Sequence, residues 1–444
     1  MNLRLTSRML DGLPWRSAAR EREPGAPSAT FRAFRHRNYR LFYGGQLISL
    51  AGTWMQTIAQ AVLVLDLTDS KVALGTTAML QFLPITIFVL FAGVLADRVP
   101  KRDFLVAMRL LAMAQAVTMT VLVFTDRVEL WHVYVLAFAL GLSNAFEQPA
   151  RQAFVIEMVG RDDLMNAVAL NSGMFNSARL IGPAIGGLVI AAFGVEWAFA
   201  LNAVSFIPAM AGLLLIDVTQ LHAHARAAPG GNPLAQLRDG LAFVYRTPQA
   251  MLIVIVMAAI GTFGINFTVM LPLVNRYVLD RGSAGLGFMT AAVGLGALVA
   301  ALFLASRTEA TRTTLFAGAA AFGVLLAGIA VSQSYAITLG LLALLGIAHT
   351  TFASTANTSL QLAAPDELRG RVMSLYMLLI AGSTPIGGYL TGLMAEHLGV
   401  PATVGINAAI CLAGFAAGAL YYVTHRPAFA SDATAARDVE RSPL

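Results

Sequence analysis

The chain has 444 residues, of which 57% are hydrophobic and only 12% are charged, and its mean hydropathy is +0.69. Soluble domains carry about 25% charged residues, so the composition excludes an ordinary soluble protein. Apolar stretches of roughly 20 residues, the length of a membrane-spanning helix, recur along the whole chain, and the shorter alternating segments of membrane β-barrels are absent. The sequence therefore predicts an all-α polytopic membrane protein.

The first 40 residues are basic and precede the first apolar stretch. No apolar run follows their basic residues, as it would in a cleavable signal peptide. Asp11, Glu21 and Glu23 argue against an organellar transit peptide, because such peptides contain few acidic residues. We expect residues 1–40 to form a flexible cytoplasmic tail.

Twelve apolar segments then follow. They lie at about 41–65, 72–96, 103–124, 130–149, 166–192, 197–216, 250–275, 286–305, 313–331, 335–358, 371–394 and 402–423. An even number places both termini on one side of the membrane, and the basic residues test this independently. Of the 30 Lys and Arg residues, 24 fall in tails and connections on the side of the termini and 4 on the other side. This distribution predicts cytoplasmic termini and explains the net charge of +6 without nucleic-acid binding.

The longest internal connection separates six segments from six. In its second part Leu234, Leu237, Leu241 and Val244 recur at spacings of three and four residues. This spacing predicts an amphipathic helix on the cytoplasmic membrane surface. The predicted domains are two six-helix bundles at 41–216 and 250–423, a linker at 217–249, and cytoplasmic tails at 1–40 and 424–444.

The two halves of the chain repeat one another. A shift of 205 residues aligns 186–195 with 391–400 and 201–203 with 406–408, and a shift of 204 aligns 162–164 with 366–368. Two six-helix halves related by duplication are the architecture of alternating-access carriers, whose substrate site lies near the midplane between the repeats. We therefore predict twelve transmembrane helices in two pseudo-symmetric bundles.

The connection after the second segment mixes one acid with three bases. It begins at Gly93 and reads GVLADRVPKR, with Asp97 in its centre. This stretch resembles the cytoplasmic signature of the major facilitator superfamily, from which it departs by Pro100 where glycine is usual. The resemblance implies the major facilitator fold.

The same resemblance implies that Asp97 forms a charge lock with a helix of the other half. We expect its partners at the start of the eleventh segment, where Arg369 and Arg371 supply cations and the helix N-terminus adds a positive dipole. The three bases of the connection are explained equally well as anchors on the cytoplasmic side, and they are Arg98, Lys101 and Arg102.

The fifth segment contains a charge, a proline and three glycines within SARLIGPAIGG, residues 177–187. Ala178, Gly182 and Gly186 recur at every fourth residue, which predicts a close helix contact. Pro183 lacks an N–H for the carbonyl of Arg179, which favours a bend. A tight, bent helix crossing would explain this sequence pattern. The pattern also resembles the antiporter signature of drug-exporting facilitators. The residues of this antiporter motif are Arg179, Gly182, Pro183, Gly186 and Gly187.

Polar residues form stripes along three predicted helices. They are Gln46, Ser49, Thr53, Gln56 and Gln60 in the first segment, Ser172, Asn176 and Arg179 in the fifth, and Thr350, Ser354, Asn357 and Gln361 in the tenth. One stripe alone is explained by hydrogen bonds between neighbouring helices. Three stripes on both halves predict a water-accessible central cavity that binds substrate.

Charged residues inside membrane segments are functional candidates, because their burial is unfavourable. Arg179 lies deep in its helix, and we assign it a cavity or coupling role. Arg109 is explained equally well by a side chain that extends to the cytoplasmic surface. Glu147 is a candidate proton site, although the simpler interpretation pairs it with Arg151 at the gate. We expect His349 to be neutral and hydrogen-bonded.

Two further runs, at 148–172 and 357–378, resemble one branch of the facilitators, the bacterial enterobactin exporters and macrolide-efflux proteins. This resemblance implies proton-driven export of a drug or siderophore across the inner membrane by a monomer. The partners are then protons, the lipid bilayer and a small-molecule substrate, and the proton gradient takes the place of a cofactor.

Sequence motifs of nucleotide hydrolases, metalloproteases and serine hydrolases are absent, as are clustered metal ligands. We therefore predict a transporter and not an enzyme. A dedicated siderophore or metabolite exporter is the nearest alternative. A non-transporting membrane sensor or scaffold is the alternative of another class, against which the short tails argue.

Overall fold

The computed structural model describes residues 29–222, 233–305 and 311–427, and within these residues all regular structure is helical. A short 3-10 helix at Ala29–Arg35 comes first. The α-helices that follow are α1 Arg37–Thr68, α2 Lys71–Arg98, α3 Lys101–Phe124, α4 Leu130–Val159, α5 Leu164–Phe193, α6 Val195–Leu214, α7 Pro233–Arg246, α8 Pro248–Ala259, α9 Phe267–Tyr277, α10 Ser283–Ala305, α11 Arg312–Val331, α12 Tyr335–Ala363, α13 Asp366–Ile380, α14 Thr384–Leu398 and α15 Val400–Thr424.

Most predicted segments coincide with these helices to within a few residues, but three differ. Helix α4 continues through Pro149 to Val159, whereas the prediction ended it near residue 149. The segment predicted at 250–275 is divided into α8 and α9 by a π-helical turn at Ile260–Gly264. The segment predicted at 371–394 is divided between α13 and α14, where Pro385 begins a new helix because it has no N–H to give to the preceding turn.

Nine helices of the described chain are each long and apolar enough to cross a bilayer, and α13 and α14 together form a tenth such span at Leu368–Leu398. The bent pair α7–α8, which turns by 110°, is an eleventh candidate. Helix α4 is not among the ten, since Asn144, Glu147 and Arg151 interrupt its apolar sequence. The structure thus confirms an all-helical, multi-pass membrane architecture.

The end of the predicted N-terminal tail is helical. Residues 1–28 lie outside the described residues, but the 3-10 helix and the start of α1 are fixed to the start of α5. Arg32, Arg35 and His36 lie 3.2, 2.7 and 2.9 Å from the carboxylate of Asp163. The prediction of a flexible tail up to residue 40 was therefore wrong for residues 29–40, because a buried acid at the start of α5 holds them.

The helices form two sets, and the two sets meet along two pairs of crossing helices. Among α1–α6, helix α1 packs against α5 and α6, and α4 packs against α2 and α3. Among α8–α15, helix α12 packs against α10 and α11, and α15 packs against α8 and α11. The N-terminal helices (α1–α6) and the C-terminal helices (α8–α15) meet chiefly where α5 crosses α10 and α2 crosses α14.

Both crossings bring the helix backbones together through glycine. A Cβ atom on Gly187 of α5 would lie 2.9 Å from the Cα of Gly287 on α10. A Cβ atom on Gly392 of α14 would lie 3.0 Å from the Cα of Gly75 on α2. Side chains larger than hydrogen do not fit at these positions, so glycine permits the close contact.

Candidate functional site

The two ends of the helix assembly differ in how tightly they are closed. We call the end at which α1 begins the terminal end, and the other the opposite end. At the opposite end the Arg276 Nη1 atom lies 2.5 Å from Asp66 Oδ1, and its Nε lies 3.4 Å from Asp69. The Tyr277 hydroxyl donates to Asp69 Oδ1 at 2.8 Å. These contacts tie α9 to the end of α1.

A second contact closes the opposite end between α2 and α14. The backbone N–H of Lys71 donates to Glu396 Oε2 at 2.8 Å, and the Lys71 ammonium lies 4.4 Å from the centre of the Tyr277 ring. Gly75 and Gly392 meet one turn further into the same helix pair. Between α1 and α9 and between α2 and α14, the opposite end is therefore closed by polar contacts at its surface and by glycine crossings below them. A separate cavity of about 290 Å³ lies at this end beside Asp66 and Arg281.

A cavity of about 240 Å³ lies between the two sets of helices, and we call it the central cavity. The N-terminal helices contribute Trp54, Thr57, Ile58, Phe82 and Arg179. The C-terminal side is mostly apolar, with Phe267, Leu271, Leu286 and Val293, and it adds the imidazole of His349. The central cavity is thus an apolar and aromatic chamber with one cationic side chain.

A larger cavity of about 760 Å³ lies toward the terminal end, and we call it the terminal-end cavity. Its polar lining comes from the end of α4, the start of α5 and the end of α12. These residues are Arg151, Gln152, Asn171, Ser172, Asn176, Asn357 and Gln361. Among the described residues, no Asp or Glu lines either cavity.

Arg179 lies on the lining of the central cavity, as the sequence predicted for a cavity residue. Its guanidinium carbon is 5.8 Å from the centre of the Trp54 ring, a cation–π distance. Within the described part of the chain it forms no ion pair. The carbonyl that Pro183 leaves without a helical partner belongs to Arg179, and Gly294 of α10 lies beside it.

The glycines of the antiporter motif contact two different helices. A Cβ atom on Gly182 would lie 2.6 Å from the Ala51 carbonyl oxygen of α1, and one on Gly186 would lie 3.0 Å from the Cα of Met55. Gly187 instead faces α10. The predicted close helix contact is therefore made with α1 by Gly182 and Gly186, whereas Gly187, the last glycine of the motif, contacts the C-terminal helices.

The stripe of the first helix does not line the central cavity. Gln56 Nε2 donates to Gln115 Oε1 on α3 at 3.1 Å, and Asn202 on α6 donates to Gln56 Oε1. Gln60 Nε2 donates to Gln81 Oε1 on α2 at 2.9 Å. Buried amides must be hydrogen-bonded, and these find their partners within the N-terminal helices. The prediction of a cavity face was therefore wrong for Gln56 and Gln60.

The same correction applies to Gln46 and Ser49, which are also buried away from the cavities. Both accept hydrogen bonds from Arg109 on α3, at 2.8 and 3.0 Å. Thr53 is partly buried and donates to the Ser49 carbonyl of its own helix at 2.9 Å. The stripe thus joins α1 to its neighbours, which is the alternative interpretation of a single stripe.

The other two stripes contribute to the terminal-end cavity. Asn176 of α5 lines it and donates to the Ser172 carbonyl at 2.9 Å. Asn357 of α12 lines it too and accepts a hydrogen bond of 2.6 Å from Gln361. Thr350 and Ser354 lie on the same helix, but they are not among the lining residues of the two cavities.

A buried ion pair in the N-terminal helices joins α3 to α4. Arg109 Nη2 lies 2.5 Å from Glu147 Oε1, and both side chains are 7% exposed. The predicted partner of Glu147, Arg151, lies at the limit of an ion pair, at 3.9 Å. Arg109 therefore does not extend to the surface, and Glu147 is held chiefly by a helix that the sequence did not single out.

The sequence carried a weak signal for this network. Arg109 stands in an apolar segment, and a cation there needs a counter-ion or several hydrogen-bond acceptors. Gln46, Ser49 and Glu147 supply these, but they come from two other helices. Which helices lie beside α3 is a matter of tertiary packing and cannot be read from helical periodicity.

The residues of the predicted charge lock are placed only in part. Gly93 and the side chain of Asp97 lie outside what the structure describes. Lys101 lies 2.8 Å from Glu157 on α4, and Arg98 is exposed. Arg102 donates to the carbonyl oxygens of residues 213 and 214, at 3.0 and 2.8 Å, at the C-terminus of α6. Lys101 and Arg102 thus join helices of the N-terminal set.

The cations at the start of α13 have partners of their own. Arg371 Nη1 donates to Asp239 Oδ2 of α7 at 2.8 Å. Arg369 Nε donates to the Gln361 carbonyl oxygen at 3.2 Å. The predicted helix in the linker is confirmed as α7, and its Val244 is buried, whereas Leu241 is half exposed. Helix α7 is therefore fixed to α13 by an ion pair.

Known proteins are similar to this chain over most of its length. A family model described as transmembrane secretion effector matches residues 28–444. The multidrug efflux pump Tap of Mycolicibacterium fortuitum is 29% identical over 80% of this chain and 88% of its own. The enterobactin exporter EntS of Escherichia coli is 24% identical over 80% of this chain and 85% of its own.

A solved structure has the same fold. The crystal structure of the nucleoside transporter NupG aligns with a TM-score of 0.66. The alignment covers 87% of this chain and 99% of NupG at 11% sequence identity. At this identity the likeness establishes the fold alone.

Proposed function

The chain belongs to the transmembrane secretion effectors, major facilitator transporters of the drug and siderophore exporter type, and from this premise we propose that it exports a small amphipathic molecule in exchange for protons. It is an efflux transporter and not an enzyme. The proposal concerns the arrangement of the helices in the membrane, the coupling of export to protons and the residues that bind the protons. A sensor or scaffold role has no support in its relatives.

We place twelve spans in the bacterial inner membrane. To the ten apolar spans we add α4 and the broken span formed by α8 and α9, and we leave α7 to the linker, which gives six spans at 41–216 and six at 250–423. Helices that face one another inside a bundle tolerate polar residues and breaks, which explains the polar residues of α4 and the break between α8 and α9. The excess of basic residues on the side of the termini supports a cytoplasmic position for both tails.

Under this orientation the conformation is inward-facing, and this is the observation that carries the proposal. The opposite end is closed by the two glycine crossings and by Arg276 with Asp66, whereas the terminal-end cavity of about 760 Å³ lies on the cytoplasmic side. Substrate enters from the cytoplasm or the inner leaflet. Rocking of one set of helices against the other then exposes the central cavity outward.

We assign proton coupling to Glu147. It is a buried carboxylate in the middle of α4, and it is paired with Arg109 and approached by Arg151. Protonation would remove the counter-ion of Arg109 and leave that cation with the neutral acceptors Gln46 and Ser49. Breaking a buried ion pair changes stability by about 3–5 kcal/mol, which is enough to bias two conformations of similar energy.

The test uses everted membrane vesicles from cells that express the chain. Their uptake of three amphipathic dyes is measured with and without a pH gradient: 8-anilinonaphthalene-1-sulfonate, N-phenyl-1-naphthylamine and ethidium. We expect gradient-dependent uptake of at least one dye above the empty-vector level, abolished by nigericin. Uptake that equals the empty-vector level for all three dyes, or that ignores nigericin, would contradict the proposal.

The coupling residue is tested in the same vesicles. Glu147→Gln is expected to reach the membrane in normal amounts but to lose gradient-driven uptake. Glu157→Gln is the matched control, since Glu157 lies on the same helix and pairs with Lys101 at the start of α3. Gradient-driven uptake by Glu147→Gln at the level of the control would remove Glu147 from the mechanism.

A further inference from the structure

The cation of the central cavity is unusual because no counter-ion pairs with it among the described residues. Arg179 lines the cavity and faces the Trp54 ring, and in the described part of the chain no carboxylate pairs with it. An isolated charge in an apolar site is unfavourable by several kcal/mol unless a partner or water compensates it. The ring of Trp54 compensates a part of this, since cation–π contacts contribute about 0.5–2 kcal/mol.

The terminal-end cavity, which leads to the central cavity, also carries a positive charge. In the terminal-end cavity Arg151 is the charged lining residue, and the other polar groups are amides and a hydroxyl. Its contact with Glu147 is long, at 3.9 Å, and Glu147 itself is directed to Arg109. From the terminal end to the centre, the described lining offers two cations and no anion.

A second polar atom of the central cavity lacks a partner. The Nδ1 atom of His349 is buried and has no hydrogen-bond partner among the described residues. The ring lies between Phe267 and Phe322, at centroid distances of 6.0 and 6.1 Å. A buried polar atom without a partner loses its hydration without compensation, so a ligand oxygen that accepts a hydrogen bond from Nδ1 would be stabilising in the tautomer that carries the proton there.

We propose that the central cavity accepts an amphipathic organic anion, whose acidic group binds Arg179 and whose apolar or aromatic body lies against Trp54, Phe82 and Phe267. This inference rests on the proposed function, because it names the substrate class of the exporter's own cavity. A cationic amphiphile is disfavoured there, since it meets Arg179 without any carboxylate to balance the two charges. Carboxylates, sulfonates and acidic phenols share the required chemistry.

The inference is tested by binding to the purified, detergent-solubilised full chain, without any gradient. Equilibrium dialysis compares three ligands with one naphthalene body: naphthalene-2-sulfonate, the neutral naphthalene-2-sulfonamide and naphthalen-2-ylmethylammonium. We expect the sulfonate to bind at least tenfold more tightly than the other two. Equal or tighter binding of the ammonium compound, or binding of none of the three, would overturn the inference.

Three variants assign the preference to its residue. Arg179→Gln is expected to abolish the preference for the sulfonate, while Arg179→Lys retains most of it. Arg281→Gln is the control, because Arg281 lines a different cavity at the opposite end. Should Arg179→Gln retain the full preference, the inference is wrong; should Arg179→Gln not fold, the Lys variant and the wild-type comparison still decide it.

The two proposals fail in different ways. An Arg179-dependent preference for the sulfonate, together with vesicles that show no gradient-driven uptake, would support the anion site and refute proton-coupled export. Gradient-driven uptake of ethidium together with absence of the charge preference would support export and refute the anion site.

Discussion

Replacing Gly187 by alanine should open the opposite end of the protein, which faces outward in the orientation we propose. A Cβ atom at this position would lie 2.5 Å from the Ser283 carbonyl oxygen and 2.9 Å from the Cα of Gly287. Both are backbone atoms, so no side chain can move aside, and helix α5 must separate from α10. The closed crossing is therefore destabilised, while a conformation in which the two helices are apart is unaffected.

The magnitude follows from the overlap. Adding a methyl group to a fully packed contact destabilises it by about 1–3 kcal/mol. If this acts on the closed state alone, the ratio of outward-open to closed molecules rises by about 5- to 150-fold.

The assay is alkylation of one added cysteine by a membrane-impermeant maleimide applied to the outside of spheroplasts. Thr57→Cys places the thiol on the central cavity, which is closed to the outside in this conformation. The native Cys411 is fully buried, and a chain without the added cysteine gives the background. Because labelling requires opening, its rate follows the open fraction, and Gly187→Ala should raise it by about the same 5- to 150-fold.

The control is Gly340→Ala on α12, where a Cβ atom meets nothing within 4 Å. It changes helix propensity in the same way without touching another helix. A wild-type labelling rate in Gly187→Ala, or an equal rise in Gly340→Ala, would refute the reasoning. Gly75→Ala at the second crossing should behave like Gly187→Ala.

Three further predictions follow from ion pairs and buried amides. Arg276→Ala should raise labelling of the Thr57→Cys thiol by no more than about fivefold, since partly exposed ion pairs contribute about 0–1 kcal/mol. In the protein that keeps Arg276, about 0.5 M salt should screen the pair and produce most of the same rise. Asp239→Asn should speed proteolysis in the connection before α7 without changing protein yield, because it removes the ion pair with Arg371; unchanged proteolysis would show that packing alone holds α7. Gln56→Leu should lower stability by about 1–3 kcal/mol in a thermal unfolding assay, because its partners on α3 and α6 stay buried without a hydrogen bond, and an unchanged midpoint would contradict this.

The helices and the close contact made by the glycines of α5 could be predicted from the sequence, because both depend on local pattern. Apolar length indicated the segments, and the spacing of Gly182 and Gly186 indicated a close contact that the structure places against α1. The breaks at Ile260–Gly264 and before Pro385 were missed, since the apolar sequence continues across them.

The partners of the polar residues could not be predicted, because they depend on which helices become neighbours. Arg276 and Asp66 are 210 residues apart in the chain, and nothing in either segment points to the other. The stripe on α1 was correctly seen as one face, but that face meets α2, α3 and α6 instead of a cavity. Periodicity identifies a polar face and does not say whether water or another helix covers it.

The most direct test of proton-driven alternating access is the pH dependence of Thr57→Cys labelling from the outside. Each rate is divided by that of the denatured chain at the same pH, because thiol reactivity itself falls as the thiolate is protonated. Because the ion pair of Glu147 with Arg109 is intact in the inward-facing state, we propose that protonation of Glu147 destabilises that state, so lowering the external pH should speed the normalised labelling of the wild type. Glu147→Gln, which carries a permanently neutral side chain, should label rapidly at every pH. Normalised labelling that does not change with pH in the wild type, or that keeps its pH dependence in Glu147→Gln, would contradict the account.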